Sequence, residues 1–356
     1  GQYDFPHSSS DDIDGALKML KIENGVLTLD ELVRVFVLCK GTKELIKFAK
    51  KHKEQLPFVF KACEHIDSID DVLNIILSVL DLKKLNIKDD ATEDLRKIRS
   101  QQTSNYRAMN ANFDVAVKRY KNEGYLGDSV ETHLNNKRLL SVLSQYKKYV
   151  PGKAHGISSK GNFTYIEPKE NIALNANQDQ LYLQEKHELF KILESITNQL
   201  RSEKHNLEAF QRLLVRFDVY NAKVLFAESY SGVIPKVNSK KIMLWQQAKH
   251  PLLLIKNNSL KLDTKGQQIE LNPDKRFLVI SGPNAGGKSI TLKTIGLTQM
   301  MFQSGLFVAV DELSEFCWFR QILSDIGDNQ SIENQLSTYS YRIKRMQFFL
   351  KTANED

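Results

Sequence analysis

The sequence predicts a multidomain fold: an all-α core with two long lever or coiled-coil helices and a small β insertion, followed by an α/β domain. Three observations predict this class. The 17 glycines and 8 prolines are about 7% of the 356 residues. An average protein contains roughly 12%, so this chain has room for long helices. Two long segments carry apolar residues at helical spacing. Near residue 280, a continuous apolar run, typical of a buried parallel strand, leads into a glycine-rich loop.

Charge and cysteine content narrow the class of protein. The 50 Lys and Arg residues exceed the 43 Asp and Glu residues, giving a net charge of +7. That surplus fits a polyanionic partner, and it also fits a mixed charged surface. Cys39, Cys63 and Cys317 are too far apart for a disulfide framework or a zinc site, and they indicate a reducing compartment, the cytoplasm. No run reaches about 18 apolar residues, so neither a transmembrane helix nor a membrane partner is predicted.

The first 85 residues are predicted to form short helices. One begins near Thr28 or Asp30, both of which are good N-cap residues, and its apolar positions are helically spaced as far as Cys39. Residues 58–63 and 70–80 predict two further helices. Nothing in this region predicts catalytic chemistry.

Two long helices are predicted, over about residues 89–121 and 177–227. The second contains no proline or glycine, and its apolar seam is interrupted only by Glu203 and Asn221. The seam comprises Leu189, Leu193, Ile196, Leu200, Leu207, Phe210, Leu214, Phe217 and Val224. About 50 helical residues span roughly 75 Å, which is too long for a helix buried in a compact bundle. The two helices are therefore predicted to be antiparallel partners that form an arm.

Residues 124–174, between the long helices, change character. Short strands are predicted at 139–143, 154–157 and 163–166, with hairpin-turn residues at 158–161. Four lysines make the insertion basic and are candidate phosphate contacts, with solvated loop lysines as the alternative: Lys147, Lys148, Lys153 and Lys160. The predicted domains are a helical core with the first long helix (1–123), a β-rich clamp or connector (124–175), the second long helix (176–231) and an α/β domain (232–356).

The segment 282–289, GPNAGGKS, matches the phosphate-binding pattern G-x-x-x-x-G-K-[ST]. The apolar run 277–280 before it is predicted to be a buried strand, and an apolar helix follows. Backbone N–H groups and the positive end of that helix would hold phosphates. Lys288 would reach the β- and γ-phosphates of ATP, and Ser289 would ligate Mg²⁺. The candidate nucleotide-binding residues are Gly282, Pro283, Asn284, Ala285, Gly286, Gly287, Lys288 and Ser289.

Two interpretations compete for the apolar segment 306–310 and the two acids after it. Alone, the segment resembles a Walker B strand, with Asp311 for Mg²⁺ and Glu312 for the attacking water. However, Asp311 lies only 23 residues after Lys288, barely a helix and a turn later. In an ABC-type topology a glutamine in this region senses Mg²⁺ and the γ-phosphate, so Gln303 is a further nucleotide-binding candidate. The alternative for Gln303 is a solvated polar residue at the helix end.

An ordered set of motifs carries a family resemblance. The segments FLVISGPNAGGKSITLK (277–293), MFQSGLFVAVDE (301–312) and DIGDNQSIENQLSTYS (325–340) resemble the ATPase of the MutS family. GISSKGNFTYIEP (156–168), the long helix after it and KHPLL (249–253) are similar to its second bacterial subfamily, which lacks the mismatch-reading domain. The resemblance covers nearly everything from about residue 16 onward.

The resemblance implies an ABC-type ATPase that works as a homodimer with composite sites. In that scheme Ser337 and Thr338 match the signature position, and Ser337 would reach the γ-phosphate held by the partner's loop. Its alternative role is an N-cap hydroxyl. Asp311 and Glu312 are then not the Walker B pair. No apolar segment ending in Asp-Glu follows residue 340, so we expect a C-terminally truncated chain that binds nucleotide weakly and, lacking the catalytic glutamate, does not hydrolyse it.

The resemblance also implies that the long helices are levers ending in a nucleic-acid clamp. The expected partner is branched or double-stranded DNA, such as recombination intermediates, with suppression of recombination as the role. Ribosome rescue on the same scaffold is an alternative. A chromosome-condensing ATPase of the SMC class is another, although its arm would interrupt the ATPase domain. A small-substrate kinase would leave the QLSTYS helix and the long N-terminal part without a role.

Overall fold

The computed structural model describes residues 12–283, 286–326 and 335–353. The chain divides into two compact units, residues 1–215 and 216–356. Within the described ranges, no helix has the length and apolar character needed to cross a membrane. All three cysteines are buried free thiols.

The described part of the first unit begins with four helices. They are α1 (Asp14–Lys21), α2 (Leu29–Lys51), α3 (Pro57–Cys63) and α4 (Ile69–Val79), followed by a small hairpin of β1 (Leu80–Asp81) and β2 (Asn86–Ile87). Three of the helices start where the sequence predicts, but α2 continues to Lys51 instead of ending near Cys39, and α1 was not predicted individually.

Of the two candidate caps of α2, Thr28 is the N-cap. Its hydroxyl accepts from the Glu31 N–H at 3.2 Å, and the Glu31 carboxylate accepts from the Thr28 N–H at 2.8 Å. This reciprocal capping box explains why α2 starts at Leu29.

Three long helices follow: α5 (Glu93–Asn122), α6 (Lys169–Ser202) and α7 (Lys204–Glu228). The first predicted long helix corresponds to α5. The predicted single helix 177–227 is wrong in two respects, because the helix begins earlier, at Lys169, and is interrupted at Glu203. Glu203 is a polar residue in the apolar seam and gains nothing from burial there. Its carboxylate instead accepts from Asn206 at 2.7 Å, and its carbonyl accepts the Leu207 N–H at 3.0 Å to start α7.

Helices α5 and α6 pack antiparallel, as the sequence predicts. Arg99 of α5 pairs with Glu185 of α6 at 2.8 Å, whereas further along α5 the Met109 carbonyl accepts from Asn171 at 3.0 Å. Between them, the Asn105 amide donates to the Gln178 side chain at 2.8 Å. Residue numbers therefore fall along α6 as they rise along α5. Much of this contact is made of hydrogen-bonded amides rather than of apolar side chains.

Between α5 and α6 lies a four-stranded antiparallel sheet of order β3-β4-β6-β5. Its strands are β3 (Leu126–Leu134), β4 (Lys137–Leu143), β5 (Gly152–Ile157) and β6 (Phe163–Pro168). The three predicted strands are confirmed, whereas β3 was not predicted because its sequence, LGDSVETHL, is rich in polar residues that strands usually disfavour. The sheet packs on the C-terminal part of α5 through a buried cluster of Phe113, Ala116, Tyr120, Leu140, Val142, Val150 and Ile166.

The second unit contains β7 (Lys236–Val237), β8 (Met243–Ala248), α8 (Pro251–Ser259), β9 (Gln267–Leu271), α9 (Lys288–Gln303), β10 (Glu315–Phe316) and α10 (Gln335–Thr352). Its sheet has the order β7-β10-β8-β9, with β10 parallel to β7 and antiparallel to β8. Trp245 stacks on Phe316 with ring centroids 4.5 Å apart, and Phe302 of α9 lies 4.9 Å from Phe316. This aromatic cluster fixes α9 against the sheet.

The predicted buried strand at 277–280 is wrong for the structure described. These residues belong to no strand, and no described residue pairs with them in a ladder. Phe277 is 91% exposed and Val279 is 87% exposed. A parallel strand depends on neighbours on both sides for its hydrogen bonds and for its burial. The apolar sequence is present, but the part of the chain described here contains no strand beside it.

Candidate nucleotide-binding site

The glycine-rich loop before α9 adopts a backbone that few other residues tolerate. Gly282 has φ +146° and Gly287 has φ +80°, regions that glycine enters without a Cβ clash. The Gly286 N–H donates to the Pro283 carbonyl at 2.9 Å. A Cβ on Gly286 would lie 3.0 Å from that same carbonyl oxygen. The turn is therefore built around three glycines that the motif places here.

The loop ends at the N-terminus of α9, where Gly287 is the N-cap and no described side chain caps the helix. The first-turn N–H groups of a helix have no intrahelical partner and carry its positive partial charge, so such an end can bind an anion. Lys288 opens the helix, and its ammonium donates to the Gly282 carbonyl across the loop. Ser289 follows in the same turn and is exposed. The structure therefore brings the described loop residues together around one helix end.

Four predicted site residues have no described side-chain geometry. Asn284 and Ala285 lie outside the described residues. The side chains of Ser337 and Thr338 also lie outside them, although their backbone belongs to α10. Because α10 begins at Gln335, Ser337 lies inside its first turn rather than at the N-cap position. The signature role of this pair stays a prediction.

Gln303 is not brought to the phosphate loop. It is the last residue of α9, and 15 helical steps from Lys288 place it roughly 22 Å away along the axis. Its amide donates to the Phe319 carbonyl at 3.0 Å and accepts from the Phe319 N–H at 3.0 Å. The half-buried side chain joins α9 to the segment after β10, so it is not the freely solvated residue of the alternative, and its nucleotide role stays a prediction. Gln299 extends this contact by donating to the Cys317 carbonyl at 2.9 Å.

Asp311 and Glu312 lie in an exposed turn beside β8. The Asp311 N–H donates to the Gln246 carbonyl at 2.8 Å, and the Asp311 carboxylate accepts from the Leu313 N–H at 2.9 Å. The apolar segment before them forms a single antiparallel bridge, between Val308 and Val233. That arrangement is unlike a Walker B strand running parallel to the loop strand. The exclusion of these acids from that role stays a prediction, with this geometry in its support.

His250 is a residue for which the sequence suggested no role. It precedes α8 in the KHPLL segment, and no described group hydrogen-bonds to its Nδ1. Burial and the nearby charge of Lys293 on α9 lower the pKa of His250, so its imidazole is neutral at pH 7. In the sequence, His250 stands out only as part of the KHPLL segment. An isolated histidine gives no pattern that predicts a site.

Comparison with known proteins shows which family the chain resembles. The family model for MutS domain V matches residues 278–356. Endonuclease MutS2 of Aquifex aeolicus is 30% identical over 347 residues, which are 97% of this chain and 44% of that protein. Endonuclease MutS2 of Ligilactobacillus salivarius is 32% identical over 342 residues, covering 95% of this chain and 42% of the relative. The chain thus spans less than half the length of these curated relatives.

The chain belongs to the MutS family, as the ordered motifs predicted. Both relatives just described are MutS2 proteins, and a third, from Streptococcus equi subsp. equi, is 31% identical over 346 residues. Within the family, the chain is therefore a member of the MutS2 subfamily.

Proposed function

We propose that this chain is the helical and nucleotide-binding part of an ATP-dependent DNA-binding protein. The observation that carries the proposal is the pair of positive-φ glycines, Gly282 and Gly287, before the N-terminus of α9, where Lys288 donates to the Gly282 carbonyl. The relatives are named endonucleases, so nucleic acid is the substrate class we propose here.

The residues present fit a nucleotide triphosphate with Mg²⁺. A Cβ at Gly286 would crowd the turn that N–H groups need in order to surround phosphate oxygens. Lys288 would exchange the Gly282 carbonyl for the β- and γ-phosphates, and the exposed Ser289 hydroxyl would ligate Mg²⁺. ATP, when bound, supplies a γ-phosphoryl group whose transfer to water releases free energy. Ser337 and Thr338 would complete the site of a partner in a homodimer.

We assign no catalytic base within the described ranges, because Asp311 and Glu312 belong to a turn on β8. The 356-residue chain is therefore proposed to bind nucleotide without turning it over. Helices α5 and α6 would act as the lever, and the sheet that packs on α5 as the clamp. The proposed substrate is branched or double-stranded DNA, such as a recombination intermediate, whose binding would suppress recombination.

The nucleotide site is tested by Lys288→Ala, with Lys293→Ala as the matched control on an exposed position of the same helix. Binding of a fluorescent ATP analogue with Mg²⁺ should weaken on the order of 100-fold for Lys288→Ala, because a charge-assisted phosphate contact is lost. Lys293→Ala should stay within about threefold. Equal losses in the two variants would contradict the site. Steady-state phosphate release well above that of Lys288→Ala would contradict the proposed lack of turnover.

The DNA substrate is tested with a four-way junction and a linear duplex of equal length, at physiological salt. We expect the junction to bind more tightly, on the order of tenfold, because it offers more than one helix to a clamp. Equal affinities would contradict the preference for branched DNA while leaving DNA binding intact. Tighter binding to collided ribosomes than to the junction would favour ribosome rescue instead.

A further inference from the structure

We propose that the β unit, residues 124–168, carries a base-stacking platform centred on Tyr149 that binds unpaired nucleotides, an assignment that rests on the proposed nucleic-acid binding. The platform consists of an exposed ring on a stack of tyrosines and of the lysines in the same basic stretch. Single-stranded nucleic acid offers both features that such a surface recognises, a π face and a phosphate charge.

Four tyrosine rings pack together where the β unit meets the C-terminal end of α5. The ring of Tyr125 lies 5.0 Å from Tyr146 and 5.8 Å from Tyr149, with interplanar angles of 29° in both pairs. Tyr120 lies 6.4 Å from Tyr125 at 22°. Tyr120 is only 3% exposed, whereas Tyr149 is 64% exposed. The stack therefore runs from the buried core to a ring that solvent reaches.

The ring of Tyr149 is held by the residues around it. It belongs to the connection between β4 and β5, where its N–H donates to the Tyr146 carbonyl at 2.9 Å. The next residue, Val150, is buried in the cluster that joins the sheet to α5, and Tyr125 and Tyr146 pack against that cluster. A ring fixed in this way loses little conformational freedom when a base stacks on it.

The stretch of sequence that carries Tyr149 has charges of one sign. Residues 132–166 contain no Asp or Glu and carry six cations, namely Lys137, Arg138, Lys147, Lys148, Lys153 and Lys160. Lys137 pairs with Asp179, and Arg138 pairs with Glu131. The other four lysines are exposed and form no ion pair with any described residue. Lys147 and Lys148 directly precede Tyr149, so their charge is available for phosphates near its ring.

The exposed ring favours single strands over duplex DNA. A duplex hides its base faces in the helical stack, so a surface that binds only duplex backbone needs cations and gains nothing from an open aromatic face. An exposed tyrosine ring leaves apolar surface in contact with water. Here that ring directly follows two lysines in the sequence. Unpaired bases, as at a junction or a displaced strand, can cover that face.

The experiment measures the binding of the 356-residue chain to a fluorescein-labelled 20-nucleotide oligothymidine and to a duplex of equal length. Tyr149→Ala should weaken oligothymidine binding about tenfold, since one base-stacking contact is lost. Tyr149→Phe should stay within about twofold, because it keeps the π face. Duplex affinity should change less than about twofold in either variant. Tyr106→Ala is the matched control, because Tyr106 is a 56% exposed tyrosine of α5.

Tyr149→Leu separates stacking from simple folding. Leucine keeps an apolar contact with Tyr125 but has no π face, so this variant should bind oligothymidine as weakly as Tyr149→Ala while retaining the wild-type unfolding midpoint within about 2 °C. Oligothymidine affinity close to wild type in Tyr149→Leu would overturn the platform, as would an equal loss in Tyr149→Phe.

The lysines are tested by a double variant, Lys147→Gln with Lys148→Gln. It should lower the affinity for oligothymidine and reduce the slope of log affinity against log salt by about 1.4, or roughly 0.7 for each phosphate contact. The control replaces the adjacent exposed pair Lys50 and Lys51 of α2 in the same way. An equal change of slope in both double variants would overturn the assignment of the lysines.

The outcomes distinguish the platform from the proposed function. Wild-type binding to duplex that is accompanied by oligothymidine binding insensitive to Tyr149→Ala overturns the platform alone. Failure of the wild-type chain to bind either nucleic acid contradicts the proposed function, and the platform with it. Displacement of oligothymidine by polyglutamate at equal charge concentration would show a surface for acidic protein and would also overturn the platform.

Discussion

The two compact units differ in where their strands find partners. In the first unit, the four strands between α5 and α6 pair antiparallel with segments close in sequence, and even the polar strand β3 is formed. In the second unit, the continuous apolar run Phe277 to Ile280 has no ladder partner among the described residues. An apolar run therefore does not make a strand by itself. Whether a segment becomes a strand depends on its having a strand to pair with. Antiparallel neighbours joined by short loops provide such a partner most readily.

The largest expected effect comes from disrupting the packing of the antiparallel sheet in the first unit. Phe113 is fully buried between α5 and the sheet, with the Arg138 guanidinium 4.3 Å above its ring. Phe113→Ala should lower the free energy of unfolding by about 3–5 kcal/mol through the cavity it leaves. Urea unfolding followed by circular dichroism measures this. Val115→Ala, at a 67% exposed position of the same helix, is the control and should change stability by less than about 0.5 kcal/mol.

A smaller effect is expected in the second unit, where Gln303 joins α9 to Phe319 by two hydrogen bonds. Gln303→Ala should lower the free energy of unfolding by about 1–3 kcal/mol, because two partly buried backbone groups lose their partner. Affinity for the fluorescent ATP analogue should stay within about twofold. The opposite pattern, intact stability with a large loss of nucleotide affinity, would restore the sensor role that the sequence suggested.

The polar contact between α5 and α6 should behave differently from an apolar core. Asn105→Leu alone leaves Gln178 buried without its partner and should lower the unfolding free energy by about 1–2 kcal/mol. Adding Gln178→Leu should recover part of this loss, with a coupling energy of at least about 0.5 kcal/mol in a urea double-mutant cycle. Additive losses would show that the two amides do not depend on each other.

The smallest effect concerns an exposed carboxylate. The hydrogen bond from Lys43, and then its charge, lower the pKa of Asp70 below its ordinary value. Because the folded-state pKa is the lower one, the contact stabilises the folded chain above the unfolded pKa of about 4, and this stabilisation is lost as pH falls through the folded pKa. Asp70→Asn should slightly flatten the acid side of the stability profile. Asp71→Asn, which removes the neighbouring exposed acid and keeps the contact between Lys43 and Asp70, is the control.

Local signals in the sequence were the most informative. The starts of α2, α3 and α4, three strands of the β insertion and the glycine positions of the loop before α9 all follow from propensity, capping and motif spacing, and the structure contains them. Residues whose environment depends on distant parts of the chain were less predictable. Gln303 shows this clearly, because nothing in its local sequence reveals Phe319 as its partner. The sequence shows Glu203 as a polar residue that interrupts the apolar seam. It does not show that the helix breaks there, because the break depends on hydrogen bonds that only the structure reveals.

The buried thiols of the first unit have a practical consequence for labelling chemistry. Burial raises the pKa of Cys39 to about 12 and that of Cys63 to about 11, so both stay protonated at neutral pH. Burial also raises the pKa of Cys317. Maleimides and disulfide reagents react with the thiolate, so the natural cysteines of the folded chain should react with them very slowly. A single cysteine introduced on an exposed loop can then carry a probe without removal of any natural thiol.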